Sequence, residues 1–438
     1  MGDVIIDGLT GANRLVILDA NGKIPAVDGS AVTAIVGANF STGTIPVARL
    51  DTGTTAGKIV KLDGNAKLPA VSGAALTGIV GATKNASDPT VSTNPSGGVG
   101  TEWQNTTSGA VYVCTDATAG ANVWTNVGGR SGDVAPWYFG GTSYGWVYGG
   151  YASPPATRTS GIDQIPFASD GNSTDVGDQS VARDSWSGCN SPTHGYCLAG
   201  YKHTAPNTQN VIDRAPFASG GTMTDVGDMI QKIKNMGSSS SETYGYTAGG
   251  YLVGGEGGAG NYNYIQRVQF AASANAVDIG DLTMTWADNP AGCSDVANSY
   301  GYISGGGSKT EIERYAMSSS TSGADVGDLT VARGWLTGQS SATYGYASGS
   351  GPGGNASNNR IDKFAFASSS NATNIGNMVV PQFDACGVSS TTHGYIAGGF
   401  HSSNNVIEKF SFTTDGNSTD VGDLTVQITY LGSVGSNY

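Results

Sequence analysis

His393-Gly394-Tyr395-Ile396-Ala397-Gly398-Gly399, Val406-Ile407-Glu408-Lys409-Phe410-Ser411-Phe412 and Asp420-Val421-Gly422-Asp423 follow one another near the end of the chain. The same three phrases recur six times from Tyr144 onward. The aromatic-Gly-aromatic step returns around Gly145, Gly195, Gly245, Gly301, Gly345 and Gly394. The strand phrase begins at Ile162, Ile212, Ile265, Ile312, Ile361 or Ile407, and the acidic phrase centres on Gly177, Gly227, Gly280, Gly327, Gly376 or Gly422. A repeat of this length is one supersecondary unit that buries its apolar face only against its neighbours.

Spacing divides the unit into fixed and free parts. The strand isoleucine and the first polar residue of the acidic phrase are 13 apart in every copy, from Ile162 to Asp175 through Ile407 to Asp420. The motif glycine and the next copy's first glycine are 18 apart in four of five cases, with 21 between Gly280 and Gly301. The stretch from first glycine to isoleucine varies, at 17, 17, 20, 11, 16 and 13 residues. Each unit thus reads as four strands: a small-residue strand a (Gly387-Val388-Ser389-Ser390), a glycine-terminated strand b, the Val-Ile-Glu-Lys-Phe strand c, and a strand d running on from the Asp-Val-Gly-Asp turn through Leu424-Thr425-Val426. Period two places Phe410 and Phe412 on one face of strand c, and Ile407 and Lys409 on the other. Counting 18 from Gly422 passes the last residue, so the tail Tyr430–Ser436 is expected to return as the innermost strand of the first unit.

Composition supports an all-β chain. There are 68 glycines, only 13% charged residues, and 21 basic against 34 acidic side chains. The net charge of −13 argues against a sequence-independent grip on nucleic acid, which needs a basic surface. No apolar run is long enough to span a bilayer as a helix, and Met1-Gly2-Asp3-Val4 does not read as a signal peptide. Cys114, Cys189, Cys197, Cys293 and Cys386 are too few and too scattered for a disulfide scaffold and read as small buried strand residues.

Residues 1–83 are different. Asn21-Gly22-Lys23-Ile24-Pro25-Ala26-Val27 is echoed 44 residues later by Asn65-Ala66-Lys67-Leu68-Pro69-Ala70-Val71, with Gly43-Thr44-Ile45-Pro46-Val47-Ala48 between them. Isolated apolar residues among turn residues bury too little area to offset chain entropy, so several chains are expected to wrap together. Residues 84–131 hold three strand-like pieces, around Trp103, Tyr112 and Trp124, and read as a small β meander with Trp103 and Trp124 as its core.

The 21–30 run and its echo resemble the shaft repeats of bacteriophage tail fibres. That resemblance implies a homotrimer, attachment to other virion proteins through the N-terminal segment, and location in the virion. The repeat over about 134–438 resembles the kelch repeat of β-propellers, although the tryptophan common on the fourth kelch strand is replaced by Val-Gly-Asp-Leu. Together they imply an extended oligomeric shaft (1–83), a small β meander (84–131) and a six-bladed kelch-like β-propeller (132–438) closed by the C-terminal strand.

No Ser-His-Asp order, phosphate loop or metal-ligand spacing is visible. No enzyme activity, cofactor or metal is therefore expected. The repeated aspartate pairs read as turn caps, and His194 and His393, standing where other copies have tyrosine, read as structural. In a radial array the b–c and d–a loops open on one face. The expected receptor-binding residues lie there: Tyr201, His203, Tyr251, Tyr262 and His401 after strand b, and Trp186, Trp286, Trp335 and Phe383 between strand d and the next strand a. Aromatic faces with few charges suit sugar rings, so a host-surface glycan, or else a protein, is the expected ligand. Plugging of the central funnel is the competing role of the d–a aromatics. A carbohydrate-active propeller enzyme and a virion decoration protein without a receptor are the competing functions.

Overall fold

The computed structural model describes residues 81–128, 139–154, 156–202, 208–252, 260–286, 289–319, 322–349, 359–400, 405–432 and 436–437. The chain divides into two compact units, 1–82 and 83–438. The expected shaft lies outside the described residues except for its last three. No helix occurs among the described residues.

Glu102–Asn105, Val111–Asp116 and Val123–Gly128 form the expected meander, and Thr83–Asn85 adds a fourth, parallel strand beside Glu102–Asn105. Trp124 is fully buried and meets Trp103 edge-on at 5.9 Å.

The repeat folds into six antiparallel sheets, and in sheets two, four, five and six chain order is spatial order. Sheet two is Ser187–Asn190, His194–Tyr201, Thr208–Pro216 and Thr224–Asp228; sheets four to six repeat it, and sheet three adds the short strands Ile233–Lys234 and Tyr251–Leu252. Sheet one has Tyr144–Ala152, Thr157–Pro166 and Thr174–Asp178 as strands b, c and d. Its inner edge is supplied by the end of the chain, since Ile428–Thr429 pairs with Tyr151–Ala152 and Ser436–Asn437 with Gly145–Trp146.

Strand a needs small residues because successive inner strands touch. The Asn190 amide donates to Ser240 Oγ, that of Ser240 to Ser294 Oγ, that of Ser294 to Ser340 Oγ, and that of Ser340 to Ser389 Oγ, at 2.9–3.0 Å. A β-carbon on Gly292, Gly338 or Gly387 would overlap the preceding inner strand. All five cysteines are buried, as expected of small strand residues.

The second aromatic of each signature is a wedge into the next sheet. Trp146 packs on Phe217, Tyr196 on Phe270, Tyr246 on Tyr315, Tyr302 on Phe366, Tyr346 on Phe412 and Tyr395 on Phe167. Such ring pairs contribute about 0.5–1.5 kcal/mol each beyond their area.

The acidic phrase departs from expectation. It is not a turn leading into strand d; it is strand d itself, Thr419–Asp423 in sheet six. Its first aspartate caps the motif glycine, whose amide donates to Asp175, Asp225, Asp278, Asp325 or Asp420 Oδ1 at 2.9–3.2 Å. The glycine is required by close approach. A β-carbon on Gly177, Gly227, Gly327, Gly376 or Gly422 would overlap a carbonyl of the next c–d turn. The carbonyl of the last residue of the phrase then accepts from that turn at every junction: Asp178 from Met223, Asp228 from Ala276, Asp281 from Gly323, Asp328 from Ala372, Asn377 from Ser418, and Asp423 from Ser173 to link sheet six with sheet one.

Strand c stays in register with strand b, and the bulge lies on strand d, where Val421 is passed over between Gly422 opposite Ile407 and Asp420 opposite Glu408. The residue after the isoleucine is buried in each sheet: Asp163, Asp213, Gln266, Glu313, Asp362 or Glu408. This polar group reaches back to the chain leaving the preceding strand d. Ser180 donates to Asp213, Thr283 to Glu313, Thr330 to Asp362 and Thr425 to Asp163, while the Ile230 amide donates to Gln266 and the Val380 amide to Glu408.

Candidate functional site

Between each strand d and the following inner strand, one non-glycine residue has left-handed backbone. These are Ser185, Asn235, Asn289, Trp335, Asp384 and Tyr430, with φ between 47° and 59°. For bulky residues such as Trp335 and Tyr430 this conformation costs roughly 1–2 kcal/mol and persists only where the surroundings impose it. Neighbouring junctions impose it through backbone hydrogen bonds. The Ser185 amide donates to Tyr430 O, Asn235 to Ser185 O, Leu336 to Asn289 O, Asp384 to Trp335 O and Leu431 to Asp384 O, at 2.7–3.2 Å. Asn289 Nδ2 also donates to Asp384 Oδ1 at 2.6 Å, linking the junctions that lead into sheets four and six.

The left-handed residue corrects the alignment of the expected d–a aromatics. Trp335 occupies that position, Trp186 follows it, Phe383 precedes it by one and Trp286 by three, so the four are not structural equivalents. Trp186 is fully buried, donates from Nε1 to Gly149 O at 3.4 Å and packs edge-on against Tyr148. Trp286 is fully buried within sheet three, opposite Tyr262. Both are packing residues and present no face to a ligand. Tyr262 is a member of strand c, Gly260–Gln269, and not of a loop. His203 and His401 lie outside the described residues. His194 and His393 each share a hydrogen bond through Nδ1 with the preceding threonine, and burial lowers both pKa values.

Trp335, Phe383, Tyr201 and Tyr251 do come together, joined by Phe400, Tyr430, Tyr151, Arg158 and Lys234. Trp335 meets Phe383 (ring centroids 6.5 Å apart), Phe383 meets Phe400 (5.0 Å), Phe400 meets Tyr430 (6.4 Å) and Tyr430 meets Tyr151 (6.1 Å). From Tyr151 the line continues through cations. Arg158 lies 5.5 Å from the Tyr151 centroid and 4.9 Å from that of Tyr201, and Lys234 lies 5.0 Å from Tyr201 and 5.9 Å from Tyr251. Phe400 and Tyr430 are exposed, at 48% and 41%, and the other rings are half-buried.

The line follows from the repeat. Tyr151, Tyr201, Tyr251 and Phe400 each stand just after the Gly-Gly or Ala-Gly that ends strand b. There the b–c and d–a segments meet, through the Asp184–Tyr201 and Phe383–Phe400 bridges and the Gly250 amide on Trp286 O. Phe400, Tyr430 and Lys234 were legible in principle, since Tyr430, like Trp335, falls eight residues after its motif glycine.

Compared with protein-family models and with curated proteins, the chain matches none.

Behind the line sits Asp184, with Oδ2 2.7 Å from Arg158 Nε. Burial raises the Asp184 pKa even against the pull of Arg158 and Lys234. Rings of this kind stack on apolar faces and on cations, and the buried Asp184 and Asp384 stiffen the loops that carry them. No group of three or more His, Cys, Asp or Glu residues placed to hold a metal occurs among the described residues.

Proposed function

We propose that the six sheets are the blades of a closed kelch-like propeller, that this propeller is the receptor-binding head of a phage virion fibre, and that it recognises a host-surface glycan. The observation that carries the reading is the continuous line of partly exposed rings from Trp335 through Phe400, Tyr430 and Tyr151 to Tyr251. Rings held by a rigid scaffold bind sugar faces with little loss of side-chain entropy. Closure is supported by the junction of sheets six and one, where Ser173, Asp163 and Phe167 make the contacts their counterparts make elsewhere. The fibre reading rests on the resemblance of residues 21–74 to shaft repeats, and it makes the particle component a homotrimer.

Two measurements test it. The full chain on an array of host-envelope glycans should bind a subset of them, and replacing Trp335, Phe400 and Tyr430 together with alanine should abolish that binding without lowering the melting temperature. Binding unaffected by the triple change would remove the aromatic line from recognition. Sedimentation of the purified chain at a monomer mass would dismiss the trimeric shaft.

A further inference from the structure

Within this receptor-binding reading, on which the inference rests, we propose that the saccharide is acidic and that its anionic group is read between Tyr151 and Tyr251 by Lys234 and Arg158. The line of rings has two unlike halves. From Trp335 to Tyr430 it carries only aromatic side chains, whereas from Tyr151 to Tyr251 ring and cation alternate over three successive sheets. Tyr201 therefore has a cation on either side.

The charge of these cations is not spent alike. Arg158 is paired with the buried Asp184. Lys234 has no carboxylate within ion-pair distance among the described residues, and its strand partner is Tyr251. An amine held against two rings loses little freedom on meeting an anion. The wider distribution of charge favours the same ligand. The chain carries −13 overall, but the paired motif aspartates lie on strand d, the edge of each sheet farthest from the inner strand. The carboxylates beside the line, Asp184 and Asp384, are buried, and the acidic edges disfavour anion binding elsewhere. Sugar rings would stack on the tyrosines, with the acid group lying between two of them.

Carboxylate and phosphate share this chemistry, and the test separates them. The full chain is titrated with uronic-acid oligosaccharides, with their carboxyl-reduced neutral counterparts, and with oligosaccharides bearing glycerol phosphate. Binding of one or both acidic classes is expected, falling as NaCl rises, with the neutral counterparts at least about tenfold weaker. Lys234→Ala should cost about tenfold against the acidic probe alone, and Lys234→Arg should restore most of it. Equal affinity for reduced and acidic probes, or an unchanged Lys234→Ala, overturns the acidic assignment while leaving the glycan reading in place. Failure to bind any saccharide, here and on the envelope array, overturns both.

Discussion

The junctions entering sheets two and five and the junction entering sheet one are built alike except at one position. In each, a strand c aspartate accepts from a hydroxyl of the preceding sheet: Ser180 to Asp213, Thr330 to Asp362, Thr425 to Asp163. Three residues after the hydroxyl stand Arg183, Arg333 and Ile428. The arginines make fully buried ion pairs, Arg183–Asp213 at 3.0 Å and Arg333–Asp362 at 2.8 Å, and their guanidinium groups also donate to strand b carbonyls. Burial pushes the Arg333 pKa down to about 10. Asp163 has no such partner; burial raises its pKa, and a cleft of about 320 Å³ opens beside it. Where the arginine position holds Ile233, the facing residue is the neutral Gln266. Glu313 and Glu408, at the junctions entering sheets four and six, are buried without an arginine and accept instead from Thr283 and from Ser418 and the Val379 and Val380 amides. Of the three aspartate junctions, the one that joins the two ends of the repeat has no buried charge pair among the described residues, and a cleft opens beside it.

Removing the inner strand of sheet one tests that junction most severely. A chain ending at Gln427 should lose its cooperative thermal transition, because Leu431, which packs into the core with Trp186, goes with it. Retention of the full transition would mean that the junction contributes nothing. Arg183→Ala or Arg333→Ala should each cost about 3–5 kcal/mol in urea unfolding, since either leaves an aspartate buried and uncompensated. Asp163→Asn should do far less at neutral pH. Gly422→Ala, which forces the sheet-six edge away from Gly171, should cost about 1–3 kcal/mol. The smallest effect concerns pH. The Asp163 and Glu408 pKa values are raised by burial, so the stability each contributes is complete below the ordinary carboxylate pKa and is lost as pH rises through the raised value. Asp163→Asn combined with Glu408→Gln should therefore flatten the fall in stability between about pH 4 and neutrality, and an unchanged slope in pH-dependent melting would place the titration elsewhere.

The sheets were legible from the 13- and 18-residue spacings, because these count backbone contacts that every copy must make. The inner strand drawn from the end of the chain was legible for the same reason. The Asp-Val-Gly-Asp phrase reads as a turn because Gly flanked by Asp usually signals one, whereas Gly422 is fixed on strand d by a carbonyl of a sheet remote in sequence. Strict alternation puts Glu408 on the face of Phe410, but its burial was hidden because a carboxylate on a strand ordinarily faces water. The 21-residue exception is now explained. Asn289 falls nine residues after Gly280 and twelve before Gly301, against eight and ten in the neighbouring copies, so a longer junction and a longer a–b hairpin share the excess. At the candidate site, aromatic type was a poor guide to exposure. Trp186 and Trp335 are one step apart in register, and that step separates a core residue from a partly exposed one.

The asparagines of the c–d turns carry a practical consequence. Asn172, Asn371 and Asn417 each head an Asn-x-Ser/Thr triplet, and each accepts through Oδ1 from the amide of Asp423, Asp328 or Asn377 on the adjoining sheet. A secretory pathway that transfers oligosaccharide to such triplets before folding would place a branched sugar inside three of the six junctions. Expression in a eukaryotic secretory host should then yield a misassembled, glycosylated product, while Asn→Asp changes at these three sites, which keep the acceptor oxygen, should restore assembly there.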